Sequence, residues 1–520
     1  MHVLVLALLL VSQPESLKQV PDRPKPFREK MHASPADWRD QSVYFVMTDR
    51  FCDGDPSNNR AGHHGYDPSN AMAAHGGDFR GVASRLDYIK GLGATTVWLT
   101  PVVQNYEGYH GYHACDWLAA DPRLGGLDDL RLLVAEAHQR GMYVVIDVVV
   151  NHGADLRAPV DGSTKWTAER RPHEFVAKKG QKVLPRPVEF QNPDWYHDRG
   201  DVQDWDDIDK AVSQSRTGDF VGLDDLATER ADVRAAMIKI WKYWIAMTDV
   251  DGFRVDTVKH VEKEFWQQWV PAIREYARSI GKRNFLIYGE FWSGEDARVA
   301  PYTKDGLFDG MVGFPMYYTM REVFREGRSP EAITRRMEAA KQYRDDALNV
   351  VFFDNHDQAR FLNATDARAL RGQLAFLYSG RGIPCLYYGT EQGFSGGSDP
   401  ANREDMFEKF NPKHELYEYV AKLGKIRRES EALRRGAFVA RWAEPGGRGL
   451  YAFSRVTEGE EVLVAFNTAG EARSARSVKV ERGAGSAFVD AIDGRDAVRI
   501  GDGNVDLALP AYGVRIYRRR

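Results

Sequence analysis

The chain has 520 residues, more than one ordinary compact domain holds, so it must divide into domains or build one large barrel. Its 43% hydrophobic and 28% charged residues are those of a soluble globular protein. A net charge of −4 with a pI near 6.4 argues against nucleic acid or an anionic membrane surface as partner.

The N-terminal sequence MHVLVLALLLVSQPES carries an apolar run, Val3–Val11, too short to span a bilayer but suited to the hydrophobic stretch of a secretory signal peptide. Residues 12–34, rich in Pro and Lys, read as a linker, so 1–34 are assigned to signal peptide and linker. From residue 42 onward short apolar runs alternate with helical patterns. The strand candidates, in order, are SVYFVMTDRF, TTVWLTPV, MYVVIDVVVNH, VDGFRVDTVKH, NFLIYGEFW, GMVGFPMYY, NVVFFDNHDQAR and GIPCLYYGTE; helical patterns include LDDLRLLVAEAHQRG, RADVRAAMIKIWKYWIAM and ARALRGQLAFLYSGRG. This alternation predicts an α/β fold, a (β/α)8 TIM barrel over 35–152 and 232–436. A doubly wound open sheet is the alternative, but no G-x-G-x-x-G follows an early strand.

The third strand candidate ends at His152 and the next clear helix starts near Arg230. The stretch between them, with FQNPDWYHDRGDVQDWDD at its centre, is too long for a connection and too aromatic for a linker, so 153–231 are expected to form an inserted small domain. After residue 437 the alternating segments GLYAFSRV, EEVLVAFNT and GVRIYRRR predict a C-terminal antiparallel β-sandwich over 437–520. Cys52, Cys115 and Cys385 show no framework spacing; one disulfide or three free thiols are both compatible with them.

Four strand candidates end in polar residues at the same edge: Asp147, Asn151 and His152; Arg254, Asp256, Lys259 and His260; Glu290; and Asn355, His356 and Asp357. In a barrel these are the C-terminal strand ends, where active sites sit. Unpaired buried charge is costly, so packing alone does not account for the set. Two carboxylates flanking a pocket suit glycosidic cleavage, with retention of configuration when they are close together. Arg254, on the same strand face as Asp256, is expected to hold that carboxylate ionised and its pKa low. The apolar setting of Glu290 is expected to raise its pKa, as a general acid requires.

At these residues the sequence resembles the α-amylase superfamily of glycoside hydrolases. DVVVNH, GFRVDTVKH, YGEFW and FFDNHD match its hallmark segments in order, and GLDDLATE takes the place of a fifth. TDRFCDGDPSNN, YHGYHACD and YYGTEQGFSGGSDPANR bring the chain nearest to secreted α-amylases and cyclodextrin glycosyltransferases. The resemblance implies Asp256 as nucleophile, Glu290 as general acid/base and Asp357 as transition-state stabiliser, with a glycosyl-enzyme intermediate. It further implies sugar contacts from Tyr112, His152 and His356, a leaving-group role for Lys259 and His260, and donor-side contacts from Asp399 and Arg403. Calcium is implied too, as one or two ions: Asn151, Asp225 and the His260 carbonyl for one, and Asp53, Asp55, Asn58, Asn59, Gly76 and Asp78 for the other, residue types that suit a hard cation. The expected substrate is an α-1,4-glucan or maltooligosaccharide, cleaved by a monomeric secreted or periplasmic hydrolase. Val221, where cyclising relatives carry an aromatic residue, and an end after one β-sandwich favour hydrolysis over transglycosylation.

Overall fold

The computed structural model describes residues 13–63, 65–178, 180–208, 210, 212–481 and 485–520; the apolar run Val3–Val11 lies outside them. Eight short strands form one parallel sheet: β1 (Val43–Val46), β2 (Thr96–Leu99), β3 (Tyr143–Val148), β4 (Gly252–Val255), β5 (Leu286–Gly289), β6 (Gly310–Met311), β7 (Val350–Val351) and β8 (Ile383–Tyr387). Their order is β6-β5-β4-β3-β2-β1-β8-β7. The sheet edges meet where Val312, just past β6, bridges Val350, and the Gly313 N–H donates to the Val350 carbonyl at 2.9 Å. The result is a (β/α)8 barrel with long amphipathic helices outside it, among them Gly126–Gln139, Ala231–Thr248 and Ala367–Ser379. Register places Asp147 opposite Arg254 and Arg254 opposite Tyr288, so a charged pair sits inside the barrel among apolar neighbours.

Two strands stop earlier than their apolar runs. The Asp256 N–H still donates to the Val148 carbonyl at 2.9 Å, but Thr257 takes a left-handed φ of 49° and turns the chain into the Val258–His260 helical turn. After β7, Asp354 folds back to accept the Phe361 N–H at 2.6 Å. In both places the chain leaves the ladder where the polar residues begin.

Residues 13–34 are a strap rather than a free linker. Ser16 Oγ donates to Glu189 Oε1 at 2.6 Å, Leu17, Val20 and Met31 are buried, and the Phe27 N–H donates to the Ala246 carbonyl at 3.0 Å. Further on, the His32 N–H donates to Asp249 and Trp38 Nε1 donates to the Asn284 carbonyl at 2.7 Å. The stretch after β3 contains, among its described residues, a small hairpin, Arg157–Pro159 with His173–Phe175. It is pinned by Arg157 on Asp198 at 2.9 Å and by Phe190 stacked on Trp117 at 4.1 Å. Backbone bridges His152–Asp225 and Tyr196–Leu226 return it to the barrel mouth.

The C-terminal residues form a six-stranded antiparallel sheet and a two-stranded one, Arg473–Lys479 with Asn504–Leu509. Alternation decides what each face covers. Leu450, Ala452, Leu463 and Ala465 pack with Ala475, Val478, Leu507 and Leu509 between the sheets. Tyr451, Phe453, Val464 and Phe466 face the other way, into the barrel core. Arg455, fully buried at this junction, donates to the carbonyls of Ser379 and Gly436.

Candidate active site

At the C-terminal ends of the strands one guanidinium serves three carboxylates. Arg254 Nη1 lies 2.8 Å from Asp147 Oδ1 and 2.6 Å from Asp256 Oδ1, while Nη2 lies 2.8 Å from Glu290 Oε1. Asp147 also accepts from Tyr112 Oη at 2.8 Å and Trp98 Nε1 at 3.2 Å. Glu290 accepts the Thr257 N–H at 3.2 Å, the donor exposed by the turn that ends β4. All of these side chains are buried, and one positive charge does not compensate three negative ones.

The electrostatics follow from that shortage. Burial pushes the Asp256 carboxyl up to about 6, against the opposing pull of Arg254. The sequence-based expectation of a low pKa for Asp256 is therefore corrected: Arg254 is adjacent as expected, but it is shared, and desolvation outweighs it. Glu290 is pushed up to about 7, first by burial, with Asp256 adding to the rise. Asp357, beyond β7, also rises to about 7, through burial and then Glu290; Arg403 Nη2 stands 3.8 Å from it.

Aromatic rings and imidazoles frame these acids. Tyr112 stacks on His356 with centroids 5.3 Å apart, and His152 stacks on Phe220 at 5.1 Å. His152 Nε2 and His356 Nδ1 are buried with no hydrogen-bond partner among the described residues. Burial pushes His152 down to about 3 and His356 well below the usual range, so both rings are neutral and hold free capacity for a hydroxyl. On one side, Lys259 Nζ faces Asp206 at 3.9 Å, and His260 Nδ1 bonds Ser215 Oγ at 2.9 Å, with its ring edge-on to Phe220 and Trp205. On the other, Arg403 holds Asp399 at 3.0 Å. The site residues named from the sequence thus gather at one mouth, apart from the loop at Asp53–Asp78.

Two groups of oxygens suit a hard cation. In the loop 53–59, Asp53 Oδ1, Asn58 Oδ1 and Asn59 Oδ1 are all buried without a hydrogen-bond partner among the described residues, a shortage an oxygen-seeking ion relieves. Gly76 lies against them; a Cβ there would meet Asn59 Oδ1 at 2.6 Å. Asp78 accepts from Gly54, Asp55, Asn58 and Gly81, so it organises the loop. Asp55 accepts from Ser57 at the rim. At the barrel mouth, Asn151 and Asp225 are brought together by the Leu226 N–H donating to the Asn151 carbonyl at 2.8 Å. Asp225 is buried and accepts from His197 at 2.5 Å. Among the described residues no cluster of three or more His, Cys, Asp or Glu side chains is placed to hold a metal.

Sequence reasoning passed over Asp147 as more than a polar strand end, and missed Trp98, Phe220 and Trp205. Asp147 carried a signal, a lone acid within VVIDVVV; the aromatic residues did not, because only the fold turns them toward the mouth. The three cysteines are free and buried.

A barrel with this acid cluster at its mouth defines a class, and comparison with known proteins agrees with it. Residues 45–415 match the α-amylase catalytic domain and residues 441–516 the maltogenic amylase C-terminal domain. The chain belongs to the α-amylase family of glycoside hydrolases. It is 37% identical over 93% of its length to a β/α-amylase of Paenibacillus polymyxa, of which it covers 38%. Against two of the curated relatives it matches, it spans 38% and 53% of their lengths. Among solved structures it is similar to an Anoxybacillus α-amylase at 32% identity and a TM-score of 0.80, covering 93% of this chain and 99% of that one. It is also similar to CldA, a cyclomaltodextrin glucanotransferase with a three-domain ABC distribution, at 27% identity and a TM-score of 0.79, covering 92% and 99%.

Proposed function

We propose that the protein cleaves α-1,4-glucosidic bonds in starch-like glucans or maltooligosaccharides with retention of configuration. The observation that carries this reading is the single guanidinium of Arg254 touching both Asp256 and Glu290, which keeps the two carboxyls close, as a covalent double displacement requires. Asp256, fixed by Arg254, attacks the anomeric carbon. Glu290, whose raised pKa keeps its proton near neutrality, gives it to the departing glycosidic oxygen and then takes one from the incoming water. Asp357 stabilises the oxocarbenium-like transition state, and the open nitrogens of His152 and His356 accept or donate to sugar hydroxyls. Tyr112 lies beneath the ring, Lys259 and His260 serve the leaving group, and Asp399 and Arg403 serve the donor side.

Calcium would be held by Asn151, Asp225 and the His260 carbonyl between barrel and insert, and by Asp53, Asp55, Asn58, Asn59, Gly76 and Asp78 in the first loop. It supplies cross-linking of loops, not chemistry at the cleaved bond. The apolar run Val3–Val11 supports export, and among the described residues no helix is long and apolar enough to cross a membrane.

The second reading is transglycosylation on the same scaffold. A single C-terminal β-domain after the barrel does not weigh against it, since the similar CldA is a cyclomaltodextrin glucanotransferase with a three-domain ABC distribution. Val221 does weigh against cyclisation, because a valine offers a curling glucan no flat face. The product profile on soluble starch decides: linear maltooligosaccharides as main products support hydrolysis, and cyclodextrins as main products transfer the reading to glycosyl transfer.

A further inference from the structure

Tyr109 is 3% exposed and carries no assigned role, yet it is held from three directions. Arg123 Nη2 donates to its carbonyl at 3.2 Å, and the Arg50 guanidinium lies 4.1 Å over its ring. Both arginines pair with Asp49, at 2.5 and 2.8 Å, which is buried at the end of β1. This clamp leaves one freedom, the hydroxyl, and it points at Arg403. Tyr109 Oη accepts from Arg403 Nη1 at 2.8 Å and donates toward Asp399 Oδ1 at 3.4 Å.

Arg403 has work in several directions. Its Nε donates to the His356 carbonyl at 3.0 Å, its Nη1 pairs with Asp399 at 3.0 Å, and its Nη2 stands 3.8 Å from Asp357. Two carboxylates compete for one guanidinium. Full pairing with Asp399 draws the charge away from the mouth; movement toward Asp357 gives up Asp399. A neutral hydroxyl fixed between Arg403 and Asp399 sets a compromise that neither acid sets alone, because it can accept from the cation and donate to the anion at once.

We propose that Tyr109 is a positioning residue, which fixes Arg403 between Asp399 and Asp357 and thereby shapes the donor-side sugar pocket. The inference rests on the proposed glucan cleavage and deepens it. The Asp49–Arg50–Arg123 cluster supplies rigidity, Tyr109 transmits it, and Arg403 presents it to substrate.

The test is a double-mutant cycle with Tyr109→Phe and Arg403→Lys on a maltooligosaccharide long enough to fill the donor side. Tyr109→Phe keeps the ring under Arg50 and removes only the hydroxyl, so folding is preserved. Each single change is expected to lower kcat/KM roughly tenfold, the scale of a lost hydrogen bond to a charged group, mostly through KM. The double variant is expected to be little worse than either single one, since both act through one guanidinium. Fully additive losses, or a Tyr109→Phe enzyme with wild-type KM, overturn the positioning role. Neither outcome touches the cleavage reading, which fails instead if Asp256→Asn retains turnover.

Discussion

Asp256, Glu290, Asp147 and Asp357 crowd four carboxyl groups around Arg254 and Arg403, and their raised pKa values record that imbalance. On the proposed roles the nucleophile Asp256 must be ionised and the general acid Glu290 protonated, so activity is expected to rise as pH climbs through the Asp256 value of about 6 and to fall as it passes the Glu290 value of about 7. The pH profile of kcat/KM is therefore expected to be a narrow bell between those values; a plateau extending well above them would contradict the assignment. The same shifts have a stability sign. Carboxyl groups with folded pKa values above the unfolded ones bind more protons when folded, so they cost stability as pH rises from about 4 through 7. Glu290→Gln is expected to abolish turnover while raising stability at neutral pH, by on the order of 1 kcal/mol, measured by denaturant titration. Much of this site was legible from sequence, because burying a charge inside an apolar strand costs too much to arise from packing alone. The sharing of Arg254 was not, since DVVVNH, GFRVD and YGEFW lie far apart in the chain and only strand order makes Asp147 and Glu290 rivals of Asp256 for one guanidinium.

Individual elements show where sequence patterns mislead. The long barrel helices begin within a residue or two of their apolar periodicity, whereas β7 shrinks to Val350–Val351 because the buried Phe352 and Phe353 belong to a turn toward the site. Composition hides the strap at 13–34: it buries few apolar residues and is held by hydrogen bonds from its backbone N–H groups and polar side chains, which leave no periodic signal. The strap carries a pH-sensitive contact. The His32 ring stacks on His138 at 3.9 Å, facing Tyr143, Asp249, Asp251, Lys282 and Arg28, and its pKa is lowered, by burial first and then by His138. A released His32 titrates near 6.5, so the released strap binds the proton more readily and docking weakens as pH falls below that value. Hydrogen exchange corrected for intrinsic rates is expected to show protection of residues 24–36 falling between pH 7 and 5, and no such fall in His32→Phe. Equal behaviour of the two proteins would rule out His32 as the sensor. A second element, the two-residue turn at Val221–Gly222, joins Phe220 to Leu223 through paired backbone bonds of 3.1 Å. Val221 is 76% exposed there and takes a φ of 56°, a conformation costly for a β-branched residue. Val221→Asn is expected to raise stability by about 1 kcal/mol, whereas Val221→Tyr is expected to raise any cyclisation with cleavage intact; a Val221→Tyr enzyme with unchanged products would show that this turn does not guide the glucan.

The molecule as a whole is tied together by polar contacts as much as by its core. Arg455 and Arg427 sit buried at the junction of barrel and C-terminal sheet, each held by main-chain carbonyls, and burial pushes Arg427 down to about 10. The loop at 53–59 holds buried oxygens that lack donors among the described residues, and calcium is proposed to supply what is missing. Dialysis against EDTA is expected to lower the melting temperature, with recovery on adding calcium and not magnesium; Asp53→Ala is expected to remove one ion and leave the other. An unchanged melting curve together with metal-free elemental analysis would exclude both sites. Cleavage is proposed to pass through a glycosyl ester on Asp256. Its most direct test is incubation with a 5-fluoro-α-glucosyl fluoride, which slows release of the intermediate, followed by mass mapping of the labelled peptide. The expected result is one added glycosyl group on the peptide containing Asp256; label on the peptide of Glu290 or Asp357, or turnover with no label and products of inverted configuration, would contradict it.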